Sequence, residues 1–138
     1  MELFFQFVSY QWYWFGLLSL LITVLIWYEN RKAGPSVSTQ QLTTLVNQKD
    51  GVIIDVRPVA EFRQGHIVDA VNIPHDQVAK RMGELEKFSG KPLILVCKMG
   101  QHASGAAKAI RAAGIENVHR LTGGMMEWTG SNLPVVKD

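Results

Sequence analysis

The stretch Leu95-Val96-Cys97-Lys98-Met99-Gly100-Gln101-His102-Ala103 runs from an apolar strand through a short loop into an Ala-rich helix. Its Cys97 is the one cysteine of the sequence. Ligands of open α/β sheets dock where the strands end. A helix N-terminus also offers free N–H groups and positive potential to an anion. The stretch therefore predicts an α/β fold that holds a thiol at an anion-binding position.

Segments typical of strands and helices alternate on both sides of this stretch. The predicted strands are residues 52–54, 70–73, 93–96 and 118–121, with one more short strand near Val37. The predicted helices are residues 39–47, 59–64, 77–88, 103–113 and 125–128. This alternation, with nearly continuous apolar strands, predicts a parallel sheet of four to five strands with helices on both faces. The most apolar strand, residues 93–96, is expected at the centre of the sheet.

The N-terminal segment differs in composition from the rest of the chain. From Leu3 to Tyr28 there are 26 uncharged residues, and ten of the thirteen aromatic residues lie within the first 28 positions. Roughly 20 apolar residues suffice to cross the hydrocarbon core of a bilayer. We therefore predict one N-terminal transmembrane helix that begins near Phe4 or Phe5. The expected organisation is an anchor at residues 1–30, a linker at 31–36 and a domain at 37–138.

The residues that flank the apolar segment predict how it is used. Glu2 stands where a signal peptide would carry basic residues, and bulky residues follow where a cleavage site would need small ones, so an uncleaved anchor is favoured. Arg31 and Lys32 follow the segment, and positive residues flanking a span favour the cytoplasmic side. We expect a single-pass protein of the bacterial inner membrane, with its N-terminus outside and its domain in the cytoplasm.

Charge and cysteine content exclude several classes of function. The net charge is +2, and no basic cluster is interleaved with aromatic residues, so nucleic-acid binding has no support. A single cysteine excludes an intramolecular disulfide framework and a zinc site with several cysteines. A free thiol fits a reducing compartment. No metal or other cofactor is predicted.

The residues around Cys97 favour a reactive thiol over a merely buried one. Gly100 has no Cβ and lets the loop turn through positive φ. If the loop curls around the sulfur, the N–H groups of residues 98–103 converge on it and favour thiolate over thiol. Lys98 and His102 add positive charge nearby. A structural cysteine needs none of these features.

Other uses of a cysteine nucleophile fit less well. A phosphatase loop of the form Cys-x5-Arg would need Arg at position 103, where this chain has Ala103. A disulfide oxidoreductase would need a second cysteine. A hydrolase would need a histidine base, and the spacing selects none of the four candidates, which are His66, His75, His102 and His119. The chemistry left is a nucleophile that accepts a small group and passes it on.

Four segments together resemble a known family. They are Ile54-Asp55-Val56-Arg57 with Glu61-Phe62 behind it, Gly65-His66-Ile67-Val68-Asp69-Ala70-Val71-Asn72-Ile73-Pro74, Cys97-Lys98-Met99-Gly100-Gln101-His102-Ala103, and Leu121-Thr122-Gly123-Gly124-Met125 running to Trp128. In this order they resemble a single rhodanese-like (sulfurtransferase) domain over nearly all of residues 37–135. The preceding anchor is similar to that of bacterial membrane-tethered members.

The resemblance implies a persulfide cycle on Cys97. Sulfane sulfur from thiosulfate or another small donor, such as a persulfide, would pass through Cys97 to a thiol or to cyanide. The residues implied to bind the substrate are Lys98, Met99, Gly100, Gln101, His102 and Ala103. Many members have Arg where this chain has His102, so either weaker thiosulfate binding or a natural donor other than thiosulfate is expected. Asp55 and Arg57 are expected to hold loops together near the site.

A second hypothesis belongs to a different class of function. The rhodanese-like domain could serve as a membrane-tethered interaction module with weak or no catalytic activity. Its partner would be another membrane protein, and the anchor would set where the two meet.

Overall fold

The computed structural model describes residues 1–137. It consists of two compact units, Met1–Arg31 and Lys32–Asp138. The first is formed by helix α1 (Glu2–Lys32), in which Gln11 departs from helical geometry and no residue is buried. This helix begins at Glu2, earlier than predicted, and it is long and apolar enough to cross a membrane. The second unit carries the sheet and the cysteine.

The second unit is built on one parallel sheet of five strands. The strands are β1 (Ser36–Val37), β2 (Val52–Asp55), β3 (Val71–Asn72), β4 (Leu93–Val96) and β5 (Val118–Leu121). Their spatial order is β1-β5-β4-β2-β3, and each neighbouring pair is parallel. The predicted α/β class is confirmed. Strand β4 is central, as its uninterrupted apolar sequence predicted.

Five helices connect or follow the strands. They are α2 (Thr39–Lys49), α3 (Val59–Gln64), α4 (Met82–Glu86), α5 (Gln101–Ala112) and α6 (Gly124–Gly130). Helix α2 opens with a capping box, in which the side chain of Ser38 accepts from the Gln41 backbone N–H and the side chain of Gln41 accepts from the Ser38 backbone N–H.

Two apolar clusters show that helices cover both faces of the sheet. Alternate side chains of a strand point to opposite faces. Leu93 and Leu95 accordingly pack in one cluster with residues of α4 and α5, which also contains Cys97. Ile94 and Val96 pack in the other cluster, with residues of α2 and α6. The central strand is therefore buried on both sides, and its carboxyl end delivers Cys97 to the edge of the core.

Two local expectations need correction. The predicted helix over 77–88 is present only as α4, because residues 75–81 form turns closed by bonds such as Gln77 N–H to Pro74 O at 2.8 Å. Helix α5 begins at Gln101 instead of 103, because Gly100 in the left-handed region (φ 102°) ends the loop. Between α1, which ends at Lys32, and β1, which starts at Ser36, lie residues 33–35.

Candidate active site

Cys97 lies directly after β4, with its residue surface 1% exposed. The backbone N–H of Gly100 donates to its Sγ at 2.7 Å. The predicted approach of loop N–H groups to the sulfur is thus seen at Gly100. Gly100 is also the N-cap of α5, so the helix begins one residue after the group that contacts the sulfur. We call residues 97–100 the cysteine loop.

Backbone N–H groups at the N-terminus of α6 donate hydrogen bonds to carbonyls of the cysteine loop. The N–H of Met125 donates to Cys97 O at 2.8 Å, and the N–H of Met126 donates to Lys98 O at 3.0 Å. Gly123 and Gly124, at φ of 74° and 58°, turn the chain into this position. A Cβ on Gly124 would lie 2.2 Å from Cys97 O. The two backbones can approach this closely because Gly124 has no side chain.

A buried ion pair stands at the end of the neighbouring strand β2. The Arg57 guanidinium binds Asp55 through Nη2–Oδ2 at 2.7 Å and Nε–Oδ1 at 3.0 Å. Arg57 Nη2 also donates to Gly65 O at 2.8 Å, and its backbone N–H donates to Asp55 Oδ1 at 3.0 Å. The amide of Asn72 donates to the backbone oxygens of Asp55 and Arg57, both at 3.0 Å. These contacts join the ends of β2 and β3 to the turn after α3.

We expect Asp55→Asn to lower the free energy of unfolding by about 3 kcal/mol, because it leaves the Arg57 charge buried without a carboxylate. Chemical denaturation measures this loss. The matched control is Glu84→Gln in the exposed pair with Arg81, whose side chains are 33% and 43% exposed (Arg81 and Glu84, respectively). There a hydrogen bond from Arg81 lowers the pKa of Glu84, but solvent screens the pair. Equal losses in the two variants would contradict a stabilising role for Asp55.

The four histidines occupy different environments. His102 lies in the first turn of α5 and stacks on His75, with ring centroids 4.2 Å apart and planes at 20°. His66 is buried, stacks on Phe62 and has Nδ1 2.8 Å from Phe62 O. His119 lies on β5, where burial lowers its pKa and the charges of Lys49 and Arg111 lower it further. Of the four, His102 is in the helical turn that follows the cysteine loop.

Two cavities flank this region. One of about 370 Å³ is lined by Lys98, Arg57 and Met125 among others. The other, of about 240 Å³, is lined by His75, His102 and neighbouring residues of α5. Both linings also contain an acidic side chain, Glu61 in the first and Asp76 in the second, and Cys97 lines neither cavity. Within residues 1–137, no group of three or more His, Cys, Asp or Glu side chains is placed to hold a metal ion.

The predicted binding residues do not form one continuous lining. Lys98, Met99, Gln101 and His102 are exposed, Gly100 is half-buried, and Ala103 is fully buried in the core. Gln101, His102 and Ala103 belong to helix α5 and not to the loop.

Sequence reasoning missed three contributors to the site: the close approach of Gly124 to the cysteine backbone, the stacking of His75, and the support from Met125 and Met126. The Gly123-Gly124 pair was a visible signal for the first. The others depend on contacts between distant segments and left no local pattern.

Comparison with known proteins decides the family. Residues 38–131 match the family model of the Rhodanese-like domain. The chain belongs to the rhodanese-like family. Among curated relatives of this family, the uncharacterized protein YibN of Escherichia coli (strain K12) is 36% identical over 123 residues, which cover 87% of this chain and 86% of YibN. The thiosulfate sulfurtransferase GlpE of Shewanella oneidensis is 30% identical over 96 residues, covering 70% of this chain and 93% of GlpE.

Solved structures of the rhodanese-like family show the same fold. The crystal structure of a rhodanese-related protein from Thermoplasma volcanium superimposes with a TM-score of 0.67 at 26% sequence identity. The superposition covers 75% of this chain and 99% of that protein. The rhodanese-like domain has sulfurtransferases among its relatives, of which GlpE is one.

Proposed function

We propose that this protein is a membrane-anchored sulfurtransferase that carries sulfane sulfur as a persulfide on Cys97. The observation that carries the proposal is the Gly100 N–H that donates to Cys97 Sγ at 2.7 Å, at the end of the central strand. A backbone donor aimed at Sγ stabilises negative charge on that atom in the thiolate, which attacks the donor and is released again when sulfur passes to the acceptor. The chain has one cysteine, so both half-reactions use the same sulfur atom.

The cycle balances with a donor and an acceptor alone. The Cys97 thiolate attacks the outer sulfur of thiosulfate, an Sγ–S bond forms, and the S–S bond of thiosulfate breaks with its electron pair leaving on sulfite. The product is the Cys97 persulfide anion. A thiolate or cyanide then attacks the outer sulfur, and the Sγ–S electron pair returns to Cys97. An alkyl persulfide donor follows the same course, with its thiolate as leaving group.

The experiment that tests the proposal is the intact mass of the reduced full-length protein in detergent after treatment with a sulfur donor. We expect a gain of one sulfur atom with thiosulfate or with an alkyl persulfide, and loss of that atom when cyanide is added. A protein that gains no sulfur from either donor would overturn the proposal.

The alternative function, a tethered interaction module without catalysis, is favoured by one observation. Cys97 is 1% exposed, so a donor has little direct access to Sγ. The same mass measurement separates the two functions, because an interaction module needs no sulfur on Cys97. A domain that takes up no sulfur would favour the alternative.

We expect His102→Arg to raise the rate of loading by thiosulfate about tenfold, because Arg is always charged and offers a forked donor to an anion. His102→Ala should lower the rate. The measurement is the second-order rate of loading at low and high ionic strength, since screening weakens an exposed charge. The matched control is Lys80→Ala, which removes an exposed charge from the turns after β3. Equal rates in the two His102 variants would contradict a role in donor binding.

We also propose that α1 anchors the protein in the bacterial inner membrane, with the rhodanese-like domain in the cytoplasm. The support is its length, its apolar composition and the basic pair Arg31 and Lys32 after the apolar run.

Protease added to intact spheroplasts should leave the domain uncut, and the same protease should degrade it after lysis. A periplasmic domain fused to a known anchor is the positive control for protease activity. Degradation of the domain before lysis would contradict the proposed orientation.

A further inference from the structure

A chain of hydrogen bonds runs from the cysteine loop to the start of the domain. Gly100, whose N–H contacts Cys97 Sγ, also accepts at its carbonyl from the Ser104 hydroxyl at 3.4 Å. Arg120 Nη1 donates to Ser104 Oγ at 2.7 Å, and Arg120 Nη2 donates to Gly34 O at 3.1 Å. These hydrogen bonds thus join three segments that are remote in sequence, namely residues 97–104, Arg120 on β5 and Gly34.

The donors and acceptors fix the direction of this chain. A guanidinium can only donate, so Ser104 Oγ must accept from Arg120 and is left to direct its own proton at Gly100 O. Hydrogen bonds from a charged donor are stronger than neutral ones and polarise the next bond. Within residues 1–137, no carboxylate pairs with Arg120, so its charge is available to Ser104 and Gly34.

Gly100 needs such support because of its conformation. At φ 102° it has no Cβ to restrict it, and a Cβ placed there would meet only Gly123 N, at 3.9 Å. The space on the Cβ side of Gly100 is therefore open. The orientation of the N–H that contacts the sulfur depends on the hydrogen bonds made by its neighbouring peptide groups.

The segment around Gly34, at the far end of this series of hydrogen bonds, is fixed by burial and by strand pairing. Ala33 is buried in the core, and β1 pairs with β5 through Ser36 opposite Arg120. The Arg120 N–H also donates to Pro35 O at 3.1 Å. Residues 33–35, which directly follow α1, are therefore an integral part of the domain that carries Cys97.

We propose that Arg120 and Ser104 are positioning residues for the cysteine loop and connect it to Gly34, so that the segment after the anchor influences the reactivity of Cys97. The proposal rests on the proposed function, because it assigns to these residues the placement of the donor that stabilises the sulfur anion. Neither residue contacts the sulfur itself.

The test uses the full-length protein in detergent and two rates, alkylation by iodoacetamide and sulfur loading. Both report on Cys97 because the chain has one cysteine. We expect Ser104→Ala to slow both rates about fivefold, the factor for one ordinary hydrogen bond, with little change in Tm. Ser104→Thr, which keeps the hydroxyl, should restore them. Arg120→Met should slow both rates when it is introduced into the wild type. It should cause no further slowing when it is introduced into Ser104→Ala.

Two further variants test the link to Gly34. A Cβ in Gly34→Ala would lie 2.7 Å from Val118 O, so this variant displaces the segment. Gly34→Ala should slow alkylation and sulfur loading in the wild-type background but not in the Ser104→Ala background. The matched control is Arg111→Gln, because Arg111 also lies against Gly34 but donates to Glu116 O. It should leave both rates unchanged.

Different failures identify different errors. Ser104→Ala at wild-type rates, additive effects of Arg120→Met and Ser104→Ala, or an equal effect of Arg111→Gln would each overturn the positioning proposal. Absence of sulfur loading in the wild type would overturn the proposed function, while the alkylation rates would still decide whether Ser104 and Arg120 position the loop.

Discussion

Replacement of Cys97 by Ser is expected to lower sulfur transfer by about 10³-fold or more, because a hydroxyl at neutral pH cannot replace a thiolate as the nucleophile. The chain has one cysteine, so no second thiol can take over the reaction. The measurement combines the steady-state rate with an intact mass after donor treatment. The variant should remain at its unmodified mass where the wild type gains one sulfur atom.

The first control is that the Cys97→Ser variant should keep the fold of the wild type. Serine Oγ can accept the Gly100 N–H as Sγ does, so the loop and the Tm should change little. A second control is Lys80→Ala, which removes an exposed side chain from the turns after β3 and leaves the cysteine loop intact. Sulfur gain by Cys97→Ser, or an equal loss of transfer in Lys80→Ala, would contradict the role of Cys97 as the carrier.

Gly124→Ala is expected to give the largest loss of stability in the domain, about 3 kcal/mol or more. Its Cβ would lie 2.2 Å from Cys97 O and 2.8 Å from Lys98 O, and both are backbone atoms that cannot rotate away. The residue also has φ 58°, a conformation that costs Ala about 1–2 kcal/mol. Thermal unfolding should show a Tm lower by more than about 10 °C.

The same substitution should slow sulfur loading, because it separates the α6 N–H groups of Met125 and Met126 from the carbonyls that they bind. The matched control is Gly130→Ala at the end of the same helix, where a Cβ would meet nothing within 4 Å. Gly130→Ala should fold and react like the wild type. If Gly124→Ala has the same Tm and loading rate as Gly130→Ala, the close approach of Gly124 to Cys97 O does not hold the cysteine loop in place.

The sheet could be predicted because its signals are local. Residues 93–96 are apolar without interruption, and such a strand is stable only when both faces are covered. The capping box at Ser38 and the glycine after α3 likewise mark helix ends through contacts within a few residues. Residues 77–81, which form turns, were predicted as the start of a helix because their polar and apolar pattern also fits a helix, and only tertiary contacts choose between the two.

The candidate site was predictable in part. Cys97 and Gly100 are adjacent to a strand end and a helix start, so their proximity follows from the local sequence. The buried pair of Asp55 and Arg57 was expected to hold loops together. We propose that it does so, because Arg57 donates to Gly65 O and the backbone oxygen of Asp55 accepts from the Asn72 amide. The stacking of His75 on His102 joins the turns after β3 to the first turn of α5, and the relative position of these two segments depends on the whole sheet.

By itself, the sequence determined the alternation of strands and helices, the apolar N-terminal segment and the placement of Cys97 beside Gly100, because each depends on the order of neighbouring residues. Tertiary structure alone decided which remote segments pack against the cysteine loop. Gly124 reaches Cys97 O across 27 positions of sequence, and Arg120 reaches Gly34 across 86. Such contacts form only after the strands have paired and the core has packed, since burial of the whole sheet, and not a local preference, brings these backbones together.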